Sequence, residues 1–164
     1  MGKVHQPRDL FLQLLADLLF VERRLAFDVL PGLRKQVEDE ELVRGMEVHL
    51  EQTKTHVSNV ESVFRLFEAA PSSNLSPSFE GLKSRYDEHV SEIDQPVLRD
   101  LFNAAAAAHT EHYEIASYRG LIELADALEA SEALAPLERN LKDEEKMLKE
   151  LGGISKRLAR QAAG

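Results

Sequence analysis

The sequence predicts an all-α fold: a bundle of four long helices, with a short fifth helix on a long crossover. Ala, Leu, Glu, Lys and Arg dominate the 164 residues, and these are strong helix formers. Aromatic residues make up only 6% and Trp is absent, a thin supply for a β-sandwich or barrel core. Apolar residues also recur at helical spacing in four long segments parted by turn-forming residues. The length fits one domain, residues 1–164.

Pro7-Arg8-Asp9 opens the first helix, expected over about 8–36. Phe11, Leu15, Leu18, Leu25 and Val29 share one stripe there. Pro31-Gly32 interrupts it, and either a kink or an early end is consistent with a missing backbone donor. Asp39 is placed to cap a second helix over about 40–69. Its central line is Met46, Thr53, Val60 and Phe67, flanked by Leu50, Val57 and Phe64 on one side and by Leu42 and Val63 on the other. Residues 70–78 hold two Pro, four Ser and an Asn, and read as a loop. A short amphipathic helix follows over about 79–93, ended by Asp94-Gln95-Pro96. The next helix spans about 97–129 on Leu101, Ala104, Ala108, Ile115, Tyr118, Ile122 and Ala125. The last spans about 131–150 on Leu134, Leu137, Leu141, Leu148 and Leu151, with Gly152-Gly153 expected to end it.

The connection from 70 to 96 far exceeds the roughly 2–8 residues usual between bundle helices. That length suits two parallel helices joined by a chain that crosses the bundle, as in a ferritin-like four-helix bundle.

Charge and composition exclude several functions. A net charge of −9 leaves no basic face for nucleic acid. Lys156, Arg157 and Arg160 read as cations near a helix C-terminus. Without Cys there is no thiolate metal site, thiol nucleophile or disulfide, so any metal would need oxygen and imidazole ligands. The polar start and the absence of a long apolar run make a soluble cytoplasmic protein the expectation. Gly2 lacks the Ser or Thr at position 6 of a myristoylation signal.

Each core stripe is interrupted near its middle by something polar. Glu22 lies between Leu18 and Leu25, Glu111 between Ala108 and Ile115, and Glu144 between Leu141 and Leu148. Thr53 lies on the central line of the second long helix, with His49 and His56 on its flank. A lone buried carboxylate costs several kcal/mol, and converging carboxylates repel one another. One or two divalent ions resolve that conflict, and iron, manganese or zinc suits such ligands. Glu114, three residues after Glu111, shares its face. His112 sits on the opposite shoulder, a candidate supporting partner, and His109 points away. Glu51 faces solvent at about 100° per residue. His49 and His56 are seven apart and cannot serve one ion unaided. The competing reading pairs these acids with Arg23, Arg24, Lys54 and Lys146, and treats Tyr113 and Tyr118 as core aromatics.

Glu111-His112-Tyr113-Glu114-Ile115-Ala116-Ser117-Tyr118 resembles a signature of the YciE/YciF-type ferritin-like stress proteins. His49-Leu50-Glu51-Gln52-Thr53 with His56-Val57, Glu22 after LLADLLFVE, and Asp143-Glu144 fit the same pattern. The resemblance spans about residues 8–151. It implies a ferritin-like bundle, a homodimer and a stress-associated role, without fixing a reaction. Related di-iron proteins carry Glu-x-x-His in two helices. Here Lys54 and Met147 stand where His would, and Leu148 replaces a common acid.

The expected site is therefore a carboxylate-rich metal pair with Glu22, Glu111, Glu114 and Glu144 as ligands, completed by His49 or His56. Oxygen or peroxide would be the small-molecule partner of a redox-active iron pair, giving a di-iron oxidase or peroxidase. The alternative is a metal-free helical scaffold or protein-interaction protein with a degenerate site. No nucleotide motif, phosphate loop or nucleophile triad is present.

Overall fold

The computed structural model describes residues 4–72 and 75–164. Gly2, and Ser73 and Asn74 of the expected loop, lie outside the described residues. Helix α1 is Pro7–Arg24, followed by a π-helical turn Leu25–Val29 and by α2, Leu30–Arg34. The joins keep right-handed helical backbone, so the three form one rod. Pro31 comes just after the π turn, which closes with Leu30 N bonded to Leu25 O, and the rod continues through the proline despite its missing N–H. The rod then includes a π turn, which no spacing in the sequence announced.

Helix α3 spans Glu40–Leu66, and Asp39 caps it by accepting from Leu42 N at 3.0 Å. The buried Asp100 carboxylate accepts from the backbone N of Glu38 and Asp39, fixing the approach to α3. The crossover carries α4, Pro77–Val90. Helix α5 is Pro96–Ala127 and α6 is Ser131–Ala163. Both α3 and α5 end in a left-handed residue, Glu68 with φ 50° and Glu129 with φ 57°. The bonds Ala69 N to Phe64 O and Ala130 N to Ala125 O close these ends in the manner of a Schellman motif.

The four long helices pack in a ring: α1 against α3 and α5, and α6 against α3 and α5, with α4 lying on α5. Paired residues give the directions. Asp39–Arg157 and Asn59–Asn140 run α6 antiparallel to α3. Asp39–Asp100 and His49–Glu111 rise together, so α3 and α5 are parallel, as the long crossover requires.

The expected end at Gly152-Gly153 is corrected: α6 continues through both glycines. The buried line of α6 is Ala133, Leu137, Asn140, Glu144, Met147, Leu151, Ile154 and Leu158, spaced four and three throughout. Ile154 and Leu158 pack in a cluster with Leu42 and Met46, and this burial outweighs about 1 kcal/mol of helix cost per glycine. Arg157 then bridges Asp39 and Glu41 at 2.7 and 3.0 Å. Leu141 and Leu148, expected on the seam, are only partly buried, because Asn140 and Met147 occupy it.

Candidate metal centre

Four helices deliver the polar interruptions to one place. Glu22 from α1, His49 and His56 from α3, Glu111 and Glu114 from α5 and Glu144 from α6 are all buried. Apolar neighbours along each helix hold these positions inward, so the polar side chains are buried with them.

Glu144 stands between the histidines. Its Oε1 lies 2.8 Å from His56 Nδ1, and its Oε2 lies 3.6 Å from His49 Nε2. Glu22 Oε1 is 3.4 Å from His56 Nδ1, and Glu111 Oε1 is 3.3 Å from His49 Nε2. Two triads result, Glu22–His56–Glu144 and His49–Glu111–Glu144, with ligand atoms of each within 4.8 Å of one another. The two imidazole rings are 6.3 Å apart, centre to centre. Glu114 belongs to neither triad, yet its charge interacts with Glu144, Glu22 and Glu111.

Closeness here is not hydrogen bonding. Glu22 Oε2, Glu111 Oε2, both oxygens of Glu114 and of Glu144, and Nδ1 of both histidines are buried without a hydrogen-bond partner. Buried polar groups are rarely left so, and each costs about 1–3 kcal/mol. The surface cations do not relieve them. Arg23 pairs with Glu61, Arg24 with Asp28 and Glu80, Lys54 with Glu51 and Lys146 with Glu150.

The electrostatics carry the same strain. Burial drives the Glu111 and Glu144 carboxyls up to about 7. Burial raises Glu22 against the opposing pull of His56, and raises Glu114 further because Glu144, Glu22 and Glu111 repel its charge. Burial opposes the charge on His56, but Glu144 and Glu22 outweigh it and lift its pKa to about 10.

Further residues orient the ligands. Asp143 Oδ2 lies 3.4 Å from His56 Nε2 and can hold a proton on that nitrogen, leaving Nδ1 as the one that faces Glu22 and Glu144. Tyr118 donates a short hydrogen bond to Glu22 Oε1. Asn140 Nδ2 donates to Tyr118 Oη at 2.9 Å and to the His56 carbonyl at 3.3 Å. Asn59 Nδ2 donates to Asn140 Oδ1 at 2.7 Å. Thr53 uses its hydroxyl on the His49 carbonyl at 2.9 Å.

Glu51 and His109 are exposed, as their helical phase implied. His112 is exposed too, which corrects its expected supporting place. Tyr113 is half-buried and bonds Ser76 of the crossover at 3.0 Å. Asn140 and Asn59 were not foreseen. The signal for Asn140 was its position four residues before Glu144, on the same helix face.

Residues 6–164 match the family described as a domain of unknown function, DUF892. The chain belongs to this family. Among DUF892-like relatives, Protein YciF of Escherichia coli K12 is 31% identical over 142 residues, covering 83% of this chain and 82% of its own length. The crystal structure of the E. coli stress protein YciF superposes with a TM-score of 0.89 at 28% identity, covering 96% of this chain and 99% of that one. YcfI from Rhodopseudomonas palustris gives 0.88 at 30% identity, covering 92% and 95%. A protein from Xanthomonas campestris shares the fold, with a TM-score of 0.75 at 20% identity, covering 96% and 95%. The DUF892 assignment and the YciF match bear out the YciE/YciF-type resemblance and the all-helical bundle. No helix among the described residues is long and apolar enough to cross a membrane.

Proposed function

We propose that this DUF892 chain is a ferritin-like stress protein that binds two divalent metal ions, iron among them, in the bundle core. One observation carries this reading. Carboxylate oxygens and imidazole nitrogens from four helices converge, buried and without hydrogen-bond partners, around a Glu144 shared by two triads. The donor set is oxygen and nitrogen only, which suits iron, manganese or zinc. Glu22, His56 and Glu144 would hold one ion, and His49, Glu111 and Glu144 the other, with Glu114 as a further carboxylate. His49 and His56 both come from α3, so they replace the imidazoles that Lys54 and Met147 do not offer.

When bound, an iron pair supplies one-electron chemistry toward oxygen or peroxide. The chain's own residues set the conditions for it. Asp143 holds a proton at His56 Nε2, and Tyr118 holds one at its hydroxyl against Glu22, oriented by Asn140. Burial keeps Tyr118 protonated well above the ordinary phenol range. The closed bundle excludes water from Glu22, Glu114 and Glu144. The proposal includes a cytoplasmic homodimer, checked by light scattering on the purified chain.

The deciding experiment is metal content by mass spectrometry after anaerobic loading with ferrous iron. About two ions per chain are expected, with fewer in Glu22→Gln and in Glu144→Gln. Unchanged content in both variants rejects the site. The second reading, a metal-free scaffold, is favoured by Met147, which is buried in an apolar cluster where a ligand would be sought. Chelation that leaves the melting temperature unmoved would select it.

A further inference from the structure

A cleft of about 240 Å³ opens between α4, the π turn with α2, and α5. Its buried walls, Leu25, Leu30 and Phe79 among them, are apolar, whereas the charged lining residues Asp28, Arg85 and Asp87 are exposed, and Lys83, half-buried, pairs with Asp87. Its buried polar lining is His49 and Glu111, so it reaches the edge of the candidate metal centre. The cleft exceeds the about 150 Å³ that accommodates benzene.

We propose that this cleft binds a neutral, mostly apolar organic molecule of bicyclic size with one hydroxyl, seated with that hydroxyl at His49 and Glu111. Its role as substrate of the metal centre rests on the reading above, whereas its binding needs only the cleft.

The polar end selects the class. His49 Nδ1 and Glu111 Oε2 are both buried and lack hydrogen-bond partners. A hydroxyl both donates and accepts, so it can serve a carboxylate oxygen and an imidazole nitrogen together. A carboxylate accepts only, and would approach the charge of Glu111, Glu114, Glu144 and Glu22. An ammonium would give up more hydration than a hydroxyl on entering between Leu25, Leu30 and Phe79. The π turn contributes here, because Leu25 and Val29 both line the cleft. An extra residue in that turn re-aims side chains, and such turns recur at functional sites.

The test is fluorescence titration of the full chain with 2-naphthol, naphthalene and 2-naphthoate, on chelated and on metal-loaded protein. Saturable one-site binding of 2-naphthol is expected, with the other two at least tenfold weaker. Gly32→Phe and Ala106→Phe should each weaken 2-naphthol at least tenfold. At Gly32 an added Cβ meets nothing within 4 Å, so that variant introduces bulk without an immediate clash.

Three results would each overturn the proposal: no saturable binding, affinity unchanged in both filled variants, or naphthoate the tightest ligand. Metal content measured on the same samples separates the two readings. Two ions per chain without naphthol binding rejects the cleft alone. Naphthol binding without metal uptake rejects the metal centre alone, and leaves the cleft as a binding site.

Discussion

Replacing Glu114 by Met should stabilise the chelated protein and stabilise the metal-loaded protein less, or not at all. Glu114 is fully buried, and neither of its oxygens has a hydrogen-bond partner. An unpartnered buried polar group costs about 1–3 kcal/mol, and an apolar side chain of similar volume removes that cost. The chelated variant should therefore be more stable than the chelated parent by about 1–3 kcal/mol. At about 2–4 °C per kcal/mol for a chain of this size, the melting temperature rises by roughly 2–12 °C. With metal present that gain shrinks. A ligand lost at the cost of tenfold in affinity removes about 1.4 kcal/mol of linked stabilisation. Urea denaturation of parent and variant, each with chelator and with ferrous iron, measures all four stabilities. A variant destabilised equally in both states would refute the reasoning, because Glu114 would then have a partner other than metal.

Four further outcomes follow from the structure. Tyr118→Phe removes the donor to Glu22 and the acceptor of Asn140, and should destabilise the chelated protein by about 1.5–3 kcal/mol in urea denaturation. Glu129→Gly should stabilise by about 1 kcal/mol by the same assay, since glycine accepts the left-handed backbone at φ 57° without strain. Gly152→Ala and Gly153→Ala should each add about 1 kcal/mol, because both sit within α6 with open space around a new Cβ; a loss of stability in either would mean the helix breaks there in solution.

The chelated protein should also lose stability as pH rises. Glu111 and Glu144 fold with pKa values of about 7 against an ordinary 4.5, so their protonated forms favour the fold. That contribution is complete below 4.5 and is lost as pH rises through about 7. His56, at about 10 against 6.5, acts in the same direction higher up, its contribution complete below 6.5 and lost through about 10. Melting curves with chelator from about pH 5 to about pH 8 should fall, and a rise would contradict these protonation states.

Much of this was legible in the sequence because burial imposes period. Glu22, Glu111 and Glu144 stood out as polar residues inside apolar stripes, and all three are buried. Asp39 read as a cap because a short acceptor before a helical run has few other uses, and it caps α3. The seam of α6 was misplaced by one residue at alternate steps. Leu141 and Leu148 are more apolar than Asn140 and Met147, and hydropathy alone prefers them. What decides the phase is Asn140, whose amide serves Tyr118 and His56 across the bundle, a partnership between residues far apart in the chain. Gly152-Gly153 misled for a similar reason, since local propensity argues for a stop and only tertiary packing argues against it. The π turn has no sequence period of its own. The joint use of His49 and His56 was hidden because each serves a different triad, so their spacing of seven matched no single-ion pattern.

Hanging both imidazoles on one helix makes α3 a ruler. Residues seven apart are separated by about 10.5 Å of helix rise, and this length resists stretching because every turn is internally bonded. The 6.3 Å between ring centres is thus fixed by one element and by the lean of its side chains. The carboxylates come from three other helices, whose distances vary as the bundle breathes. Any change in packing between helices would alter the oxygen side of the centre and leave the nitrogen spacing unchanged. The rigid half of the site is its imidazole half, and adjustment to ions of different radius falls to the glutamates.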